Sequence, residues 1–333
     1  MNTHAIDPRD EAAFGARLER HRGELQVHCY RMLGSFEDSE DLVQETFLRA
    51  WRSRASFGAD GRSSLKAWLY RIATNACLDV LRRRPRRVTP PEVAGAADPD
   101  APVPPPEDLP WLQPYPDRLL APAEEGPEAV VVARETIELG FLATIQHLPP
   151  RQRAVLILTQ VLGWSAKDTA SLLAVSVAAV NSALQRSRAT LRERLPARRT
   201  EWAPSAEPSE EERELLRRYL DAHGRADVAA LAALLREDAR LTMPPHAVWY
   251  DGRDAILIAC QKGFDPSFGE LRTIVARANL QPSAAHYLRP PGAAEFRPLA
   301  LDLLTVEGGR IAEITSFVTP ELFPAFGLPP ALR

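Results

Sequence analysis

Residues 148–195 read LPPRQRAVLILTQVLGWSAKDTASLLAVSVAAVNSALQRSRATLRERL, and the spacing within this stretch specifies three helices and the turns between them. After Pro149 and Pro150, the run Arg151 to Leu162 carries Val155, Leu156, Leu158, Val161 and Leu162 at helical intervals, with Gly163 as its stop. Ser165 can cap a short second helix whose Asp168 lies three residues on, a shortened capping box. Ser176 can cap a third helix running to about Leu195, with Val177, Val180, Leu184 and Leu191 inside and Asn181, Gln185, Arg186 and Arg188 outside. A short helix, a tight turn and a longer helix make a helix-turn-helix. Amides and guanidiniums are the side chains that read base edges and hold phosphates in a major groove.

The competing reading is an ordinary helical bundle with a solvated Arg-rich face, and local charge weighs against it. Between Ala129 and Thr200 the basic residues are Arg134, Arg151, Arg153, Lys167, Arg186, Arg188, Arg192, Arg194, Arg198 and Arg199, against Glu135, Glu138, Asp168 and Glu193. On a chain with formal net charge −3, a local positive excess marks a face for a polyanion. The 333 residues suggest two or three domains at roughly 100 to 200 residues each. Cys29, Cys77 and Cys260 are far apart and form no CxxC or Cys/His cluster. Neither a disulfide framework nor a zinc site is expected, which fits a reducing cytoplasm. No apolar run approaches the roughly 20 residues of a membrane span, so a cytoplasmic protein without a cofactor is expected.

Phe14 to about Arg84 is helical in pattern, with breaks near Gly34 to Glu37 and Phe57 to Ser64. The second helix, Glu37 to Trp51, puts Leu42, Phe47, Leu48 and Trp51 on one side. Asp38, Glu40, Asp41, Gln44, Glu45 and Arg49 are available outside. Its acidic start suits the positive end of the helix dipole. The third, Leu65 to Arg84, buries Leu69, Ile72, Leu78 and Leu81. It combines Lys66, Trp68, Tyr70, Arg71, Asn75, Asp79 and a cluster at Arg82, Arg83, Arg84, Arg86 and Arg87. Aromatics interleaved with cations suit single-stranded DNA, since rings stack on unpaired bases and cations follow the backbone. Equally, Trp68 and Tyr70 can be core residues at a solvated helix end.

The motifs DSEDLVQETFLRAW (Asp38 to Trp51) and LKAWLYRIATNACLDVLRRR (Leu65 to Arg84) resemble region 2 of sigma-70 family factors of the extracytoplasmic-function type. Leu148 to Leu195 resembles their region 4, in the same order. The resemblance implies that the acidic helix docks on the clamp helices of RNA polymerase core through Asp38, Asp41, Leu42, Gln44, Glu45 and Phe47. It implies that the aromatic and basic helix melts and reads the minus-10 element, with Asn75 beside the captured base. It implies that region 4, which the family also docks on the polymerase flap, reads the minus-35 element through Ser176, Ala179, Asn181, Ser182, Gln185, Arg186 and Arg188. The recognition helix departs from the commoner pattern by carrying Asn181 and Ala183 where Lys or Arg is frequent.

Residues 87–128 form an acidic, Pro-rich linker between region 2 (12–86) and region 4 (129–199). Within it, DLPWLQPYPDRLL carries Trp111, Leu112, Tyr115, Leu119 and Leu120, too many large apolar residues for a solvated thread, so it should dock. In the family this linker threads toward the active-site cleft, and WLQPYPD is similar to the SigG-like subgroup that carries an extra carboxy-terminal domain. After a polar spacer, Arg213 to Leu235 reads as one or two helices. A short strand, a turn and a helix opening after Gly252 follow, then alternating runs ending in a hairpin at Gly308 and Gly309. This pattern over 210–326 resembles the SnoaL-like, nuclear-transport-factor-like α+β cone. His246, Trp249, Tyr250, Asp251, His286 and Asp302 are the expected lining of its pocket.

The fold expected is therefore two all-α sigma domains, the second a helix-turn-helix, followed by an α+β cone that regulates in cis and can hold a small-molecule ligand. The function expected is promoter recognition and transcription initiation, not catalysis. A ligand-sensing helix-turn-helix repressor leaves the Asp38 to Trp51 helix unexplained, and an isomerase or hydrolase built on the cone lacks paired carboxylates, a metal cluster or a phosphate loop in the sequence.

Overall fold

The computed structural model describes residues 11–57, 64–120, 137–194 and 209–333. The expected break at 58–63, the linker end at 121–128, the start of region 4 at 129, Arg134, Leu195, Arg198, Arg199 and the spacer at 200–208 lie outside these residues. The described residues of 1–87 and 119–203 form one compact unit, and those of 88–118 and 204–333 form another.

The first unit is all helical. Helices α1 (Glu11–Glu19), α2 (Arg22–Leu33), α3 (Phe36–Arg52) and α4 (Leu65–Leu81) come first. They are separated where the local chemistry stops a helix. Gly34 closes α2 in the left-handed conformation (φ 68°), its N–H donating to Tyr30 O. Ser35 then caps α3, accepting from the Asp38 amide at 3.2 Å, and Ser64 caps α4 through the Ala67 amide at 3.1 Å. A break between Glu19 and Arg22 also divides what the sequence read as one helix. Phe14, Leu25, Cys29, Tyr30, Met32, Ala50 and Leu69 have almost no exposure and form the centre.

Helices α5 (Leu139–Gln146), α6 (Pro150–Leu156), α7 (Ala166–Leu173) and α8 (Val177–Arg194) complete this unit, and a π-helical turn over Ile157–Val161 extends α6. Ser165 accepts from the Asp168 amide at 3.0 Å and donates to its carboxylate at 2.6 Å, so the shortened capping box forms. Ala174 takes the left-handed conformation (φ 53°) and ends α7. Ser176 accepts from the Ala179 amide at 3.1 Å and starts α8. The inner face of α8 is narrower than the sequence suggests. Val180, Ala183 and Ser187 are buried, whereas Val177 is 43% exposed and Leu184 and Leu191 are half-buried. Val177 is the first residue of the helix.

The second unit builds its sheet from β1 (Leu235–Thr242), β2 (Trp249–Asp251), β3 (Glu270–Ala278), β4 (Gln281–Arg289), β5 (Arg297–Glu307) and β6 (Arg310–Phe317), in the order β2-β1-β6-β5-β4-β3. Only the β1/β6 pair is parallel. Gly308 and Gly309, at φ 58° and 72°, make the hairpin turn between β5 and β6. Helices α9 (Glu210–Gly224), α10 (Val228–Leu234) and α11 (Arg253–Gly263) cover the sheet, α9 over β3 and β4 and α11 over β1. Leu235, expected in a helix, opens β1. The core between layers includes Leu215, Tyr219, Ala222, Leu231, Leu241, Tyr250, Ile256, Leu304 and Ile314.

Residues 88–118 pack with the cone. Ala97 N–H donates to Trp249 O (2.8 Å), Glu107 N–H to Pro245 O (2.9 Å) and Asn279 N–H to Tyr115 O (2.9 Å). Asn279 Oδ1 accepts from the Tyr115 amide at 2.7 Å, and the Arg118 guanidinium reaches Ala325 O at 2.6 Å. Trp111, Leu112 and Tyr115 are buried, so the apolar insert docks as expected, but its place is the carboxy-terminal unit. Main-chain groups of the linker at Ala97, Glu107 and Tyr115 find main-chain partners on the cone.

Candidate functional site

Three faces carry chemistry. The first is the outer surface of α8. Ser176, Ala179, Asn181, Gln185, Arg186 and Arg188 are exposed and Ser182 is half-buried. Arg186 Nη1 donates to Ser182 Oγ at 2.6 Å, and Arg188 Nη2 donates to Gln160 Oε1 at 2.7 Å. Both contacts are exposed, so they hold the guanidiniums at modest cost while leaving donors for a phosphate or a base edge. Ala183 is 8% exposed on the inner face, so only Asn181 of the two departing positions points outward.

The second face belongs to α3 and α4. Lys66, Arg71, Asn75, Arg82 and Arg83 are exposed along α4. Lys66 Nζ pairs with Glu24 at 2.8 Å, and Asp79 pairs with Arg49 at 3.5 Å and with Arg82. Trp68 and Tyr70 are core residues, 5% and 1% exposed, which corrects their placement on a base-stacking surface. The reason is that α4 is covered on more than one side. Trp68 packs on Phe57 at 5.1 Å between ring centroids, and Tyr70 packs on His28 at 5.0 Å and Trp164 at 5.5 Å. On α3, Asp41 and Gln44 are exposed and Glu45 holds Arg49 at 2.7 Å. Asp38 is engaged by Arg84 at 2.8 Å and by Arg87. Leu42 and Phe47 are buried, 8% and 9% exposed, so they hold the helix in place and do not form its outer surface. Leu48, assigned to the inner side by its spacing, is 51% exposed beside Gln44 and Asp41. One residue of helical phase, 100° of rotation, separates it from Phe47.

The third is a cavity of about 500 Å³ inside the cone. Leu241, Met243, Phe264, Leu288, Leu299 and Ile314 are among its apolar walls, and Pro99, Ala101, Pro102 and Val103 of the linker supply another wall. One end is polar. Tyr219 Oη donates to Asp302 Oδ2 at 2.6 Å, and His286 Nε2 donates to the same oxygen at 2.8 Å while His286 Nδ1 lies 3.0 Å from Thr273 Oγ1. Burial alone would raise the Asp302 carboxyl, but His286, His223 and the Ser316 hydroxyl outweigh it and hold the pKa at about 2. His223 stacks beside Tyr219 (centroids 4.2 Å apart) and His286 (4.9 Å). Burial first, and the neighbouring His286 second, push its pKa down to about 3. It is neutral at pH 7.

Of the residues expected to line this pocket, Tyr250, His286 and Asp302 do so. The placement of the others is corrected. His246 Nδ1 lies 2.7 Å from Pro104 O, and Trp249 Nε1 donates to Ala94 O at 2.9 Å, so both fasten the linker. Asp251 is exposed and faces Arg240 at 3.4 Å. The short strand β2 turns Trp249 and Asp251 to the face opposite Tyr250, because alternate residues face opposite ways, and His246 lies in the turn before it. Tyr219, His223 and Cys260 were not read as pocket residues. The i, i+4 spacing of Tyr219 and His223 on one helix was the signal that could have found them. His223, His286 and Asp302 offer nitrogen and oxygen atoms within 4.8 Å of one another, enough for a metal ion. Asp302 Oδ2 already accepts two short hydrogen bonds, from Tyr219 Oη and His286 Nε2, so that oxygen is committed to the Tyr219–His286 pair.

No described helix is long and apolar enough to cross a membrane. Residues 18–87 match the Sigma-70 region 2 family, 139–191 Sigma-70 region 4 and 216–314 the SnoaL-like domain family. The chain is 41% identical over 332 residues to the ECF RNA polymerase sigma factor SigG of Mycobacterium tuberculosis, spanning 98% of this chain and 87% of the relative. It is 31% identical over 188 residues to the ECF sigma factor SigW of Bacillus subtilis, covering 56% of this chain and 90% of that one. The crystal structure of the Mycobacterium tuberculosis extracytoplasmic function sigma factor SigJ shares its fold at a TM-score of 0.59 and 20% identity, over 95% of this chain and 100% of that chain. With two helical sigma regions in order, a docked linker and a SnoaL-like cone, the chain belongs to the extracytoplasmic-function family of RNA polymerase sigma factors.

Proposed function

We propose that this chain works in the cytoplasm as a promoter-specificity subunit, not as an enzyme, with two separate DNA-reading faces. The exposed row on α8, Asn181, Gln185, Arg186 and Arg188, is the observation that supports the minus-35 role most directly. A capped helix whose outer face combines amides with guanidiniums suits a major groove. Lys66, Arg71, Asn75, Arg82 and Arg83 are the minus-10 face of α4, where exposed cations and an amide can follow an unpaired strand. Polymerase docking falls to the outer face of α3, Asp41, Gln44 and Leu48, with Asp38 released from Arg84 and Arg87 when core binds. The cone acts in cis by holding residues 88–118.

Run-off transcription with core polymerase tests the assignments. Arg186→Ala should weaken duplex minus-35 binding and lower the slope of log K against log salt by about 1. Asn75→Ala should leave duplex binding intact and impair open-complex formation. Unchanged transcription in both variants would overturn the two faces. Unchanged activity after Lys262→Met combined with Trp249→Phe, which remove two fastenings of the linker, would count against the cone's role.

A further inference from the structure

The cavity's polar end has a specific hydrogen-bond demand. His223 Nδ1 lies 3.1 Å from Tyr219 O. A main-chain carbonyl only accepts, so Nδ1 carries the proton and donates. The ring is neutral, which leaves Nε2 as a bare acceptor, and it makes no hydrogen bond to any described residue. Beside it, Asp302 Oδ1 is buried without a hydrogen-bond partner. The Cys260 thiol is pushed up to about 12 by burial and by Asp302, so it stays protonated. Apart from the weak Cys260 S–H donor, this end offers acceptors to whatever fills the cavity, while nearly all the remaining wall is apolar. Lys262, at the linker side, donates to Pro99 O at 2.7 Å and pairs with Asp100 at 2.9 Å. Its charge is directed onto the linker.

We infer that the cone cavity binds a neutral, mostly apolar small molecule that donates one hydrogen bond, from a hydroxyl or phenol, to His223 Nε2. A cavity of about 500 Å³ has room for a rigid body of roughly twenty non-hydrogen atoms. An anion is disfavoured by Asp302, and a ketone would leave the acceptors at the polar end unmatched. Because Pro99, Ala101, Pro102 and Val103 complete the wall, an occupant also packs against the linker. Its effect on transcription rests on the cis role of the cone, whereas its binding does not.

The test is titration of the full-length protein, without polymerase or DNA, with 2-naphthol and with 2-methoxynaphthalene, which match in shape and differ in the donor. One satisfied hydrogen bond predicts about tenfold tighter binding of 2-naphthol. His223→Phe should remove that preference, and Ala259→Trp, which fills the cavity from α11, should remove binding of both. If His223→Phe does not fold, the comparison of the two probes on the native chain decides alone. Equal affinity for the two probes, or no binding of either up to 1 mM, would overturn the inference. So would zinc chloride raising the melting temperature when neither naphthalene does. Failure of the transcription variants above would leave this result untouched.

Discussion

Arg153 offers the sharpest test of how the helical unit is held together. It is 1% exposed on α6, and none of its hydrogen-bond partners is a carboxylate. Nη1 donates to Met32 O and to Gln146 Oε1 (2.6 Å), and Nη2 to Gln146 O (2.8 Å) and Leu148 O (3.3 Å). Burial lowers its pKa to about 10, so it remains charged at neutral pH. Its compensation comes from carbonyls at the carboxy-terminal ends of α2 and α5, where the helix dipole favours a cation. Arg153→Met keeps an unbranched apolar stem, shorter than the arginine, and removes every donor. Four buried acceptors, the Met32, Gln146 and Leu148 carbonyls and Gln146 Oε1, then lose their donor at about 1 kcal/mol each, offset by about 1 kcal/mol of desolvation no longer required of the guanidinium. The expected loss is about 3 kcal/mol. Hydrogen exchange of the full chain, read on the amides of α2, α5 and α6, measures it separately from the cone. Arg153→Lys should lose about 2 kcal/mol, because a point charge cannot span the fork. A loss below about 1 kcal/mol for Arg153→Met, or a lysine variant as stable as the native chain, would refute this account.

The remaining predictions concern acid, one hydroxyl and one glycine. His28 donates or accepts at Thr74 Oγ1 (2.9 Å), and burial, then Arg31, push its pKa to about 3, as burial and His286 do for His223. Both folded values lie below the ordinary 6.5, so the unfolded chain takes up the protons first. Stability should fall as pH drops below about 6.5, by up to about 1.4 kcal/mol per pH unit for each histidine; the histidine contribution levels near pH 3, where the Asp302 carboxyl, held at about 2, adds its own loss. Urea midpoints at pH 7 and 5 check this, and a flat profile would contradict it. Tyr219→Phe removes one donor from Asp302 Oδ2 and should destabilise the cone by about 1 to 3 kcal/mol without changing exchange in α2 or α6. Gly269→Ala places a Cβ 2.1 Å from Arg289 O at φ 125°. It should destabilise the β3/β4 end by more than about 2 kcal/mol, visible as a lowered melting temperature.

Caps, turns and alternation were legible in the sequence because they act locally. Ser165, Ser176 and the Gly308–Gly309 hairpin all work over four residues or fewer. Residues whose role depends on distant partners were not. Trp68 and Tyr70 carry the composition of a stacking surface, and only Phe57 and Trp164, brought in by the fold, show that they are covered. Leu48 and Phe47 are adjacent in sequence, and one step of helical phase separates a core residue from an exposed one. The polar end of the cavity joins α9, β4 and β5 across more than sixty positions of sequence, which no local pattern predicts. His246 and Trp249 looked like pocket residues because the linker that they hold had no visible destination.

The fastening of residues 88–118 to the cone also sets a length. These 31 residues lie between the two halves of the helical unit in chain order. While they are held, they contribute little slack to the tether joining α4 to α5. Once released, the same segment behaves as a semi-flexible chain with an end-to-end reach of about 30 Å. The concentration at which one DNA-reading helix meets the site set by the other then falls steeply with tether length. Under the proposed cis role, and only once the two halves of the compact helical unit part, the cone would thereby set how far apart two promoter elements can be and still be engaged together.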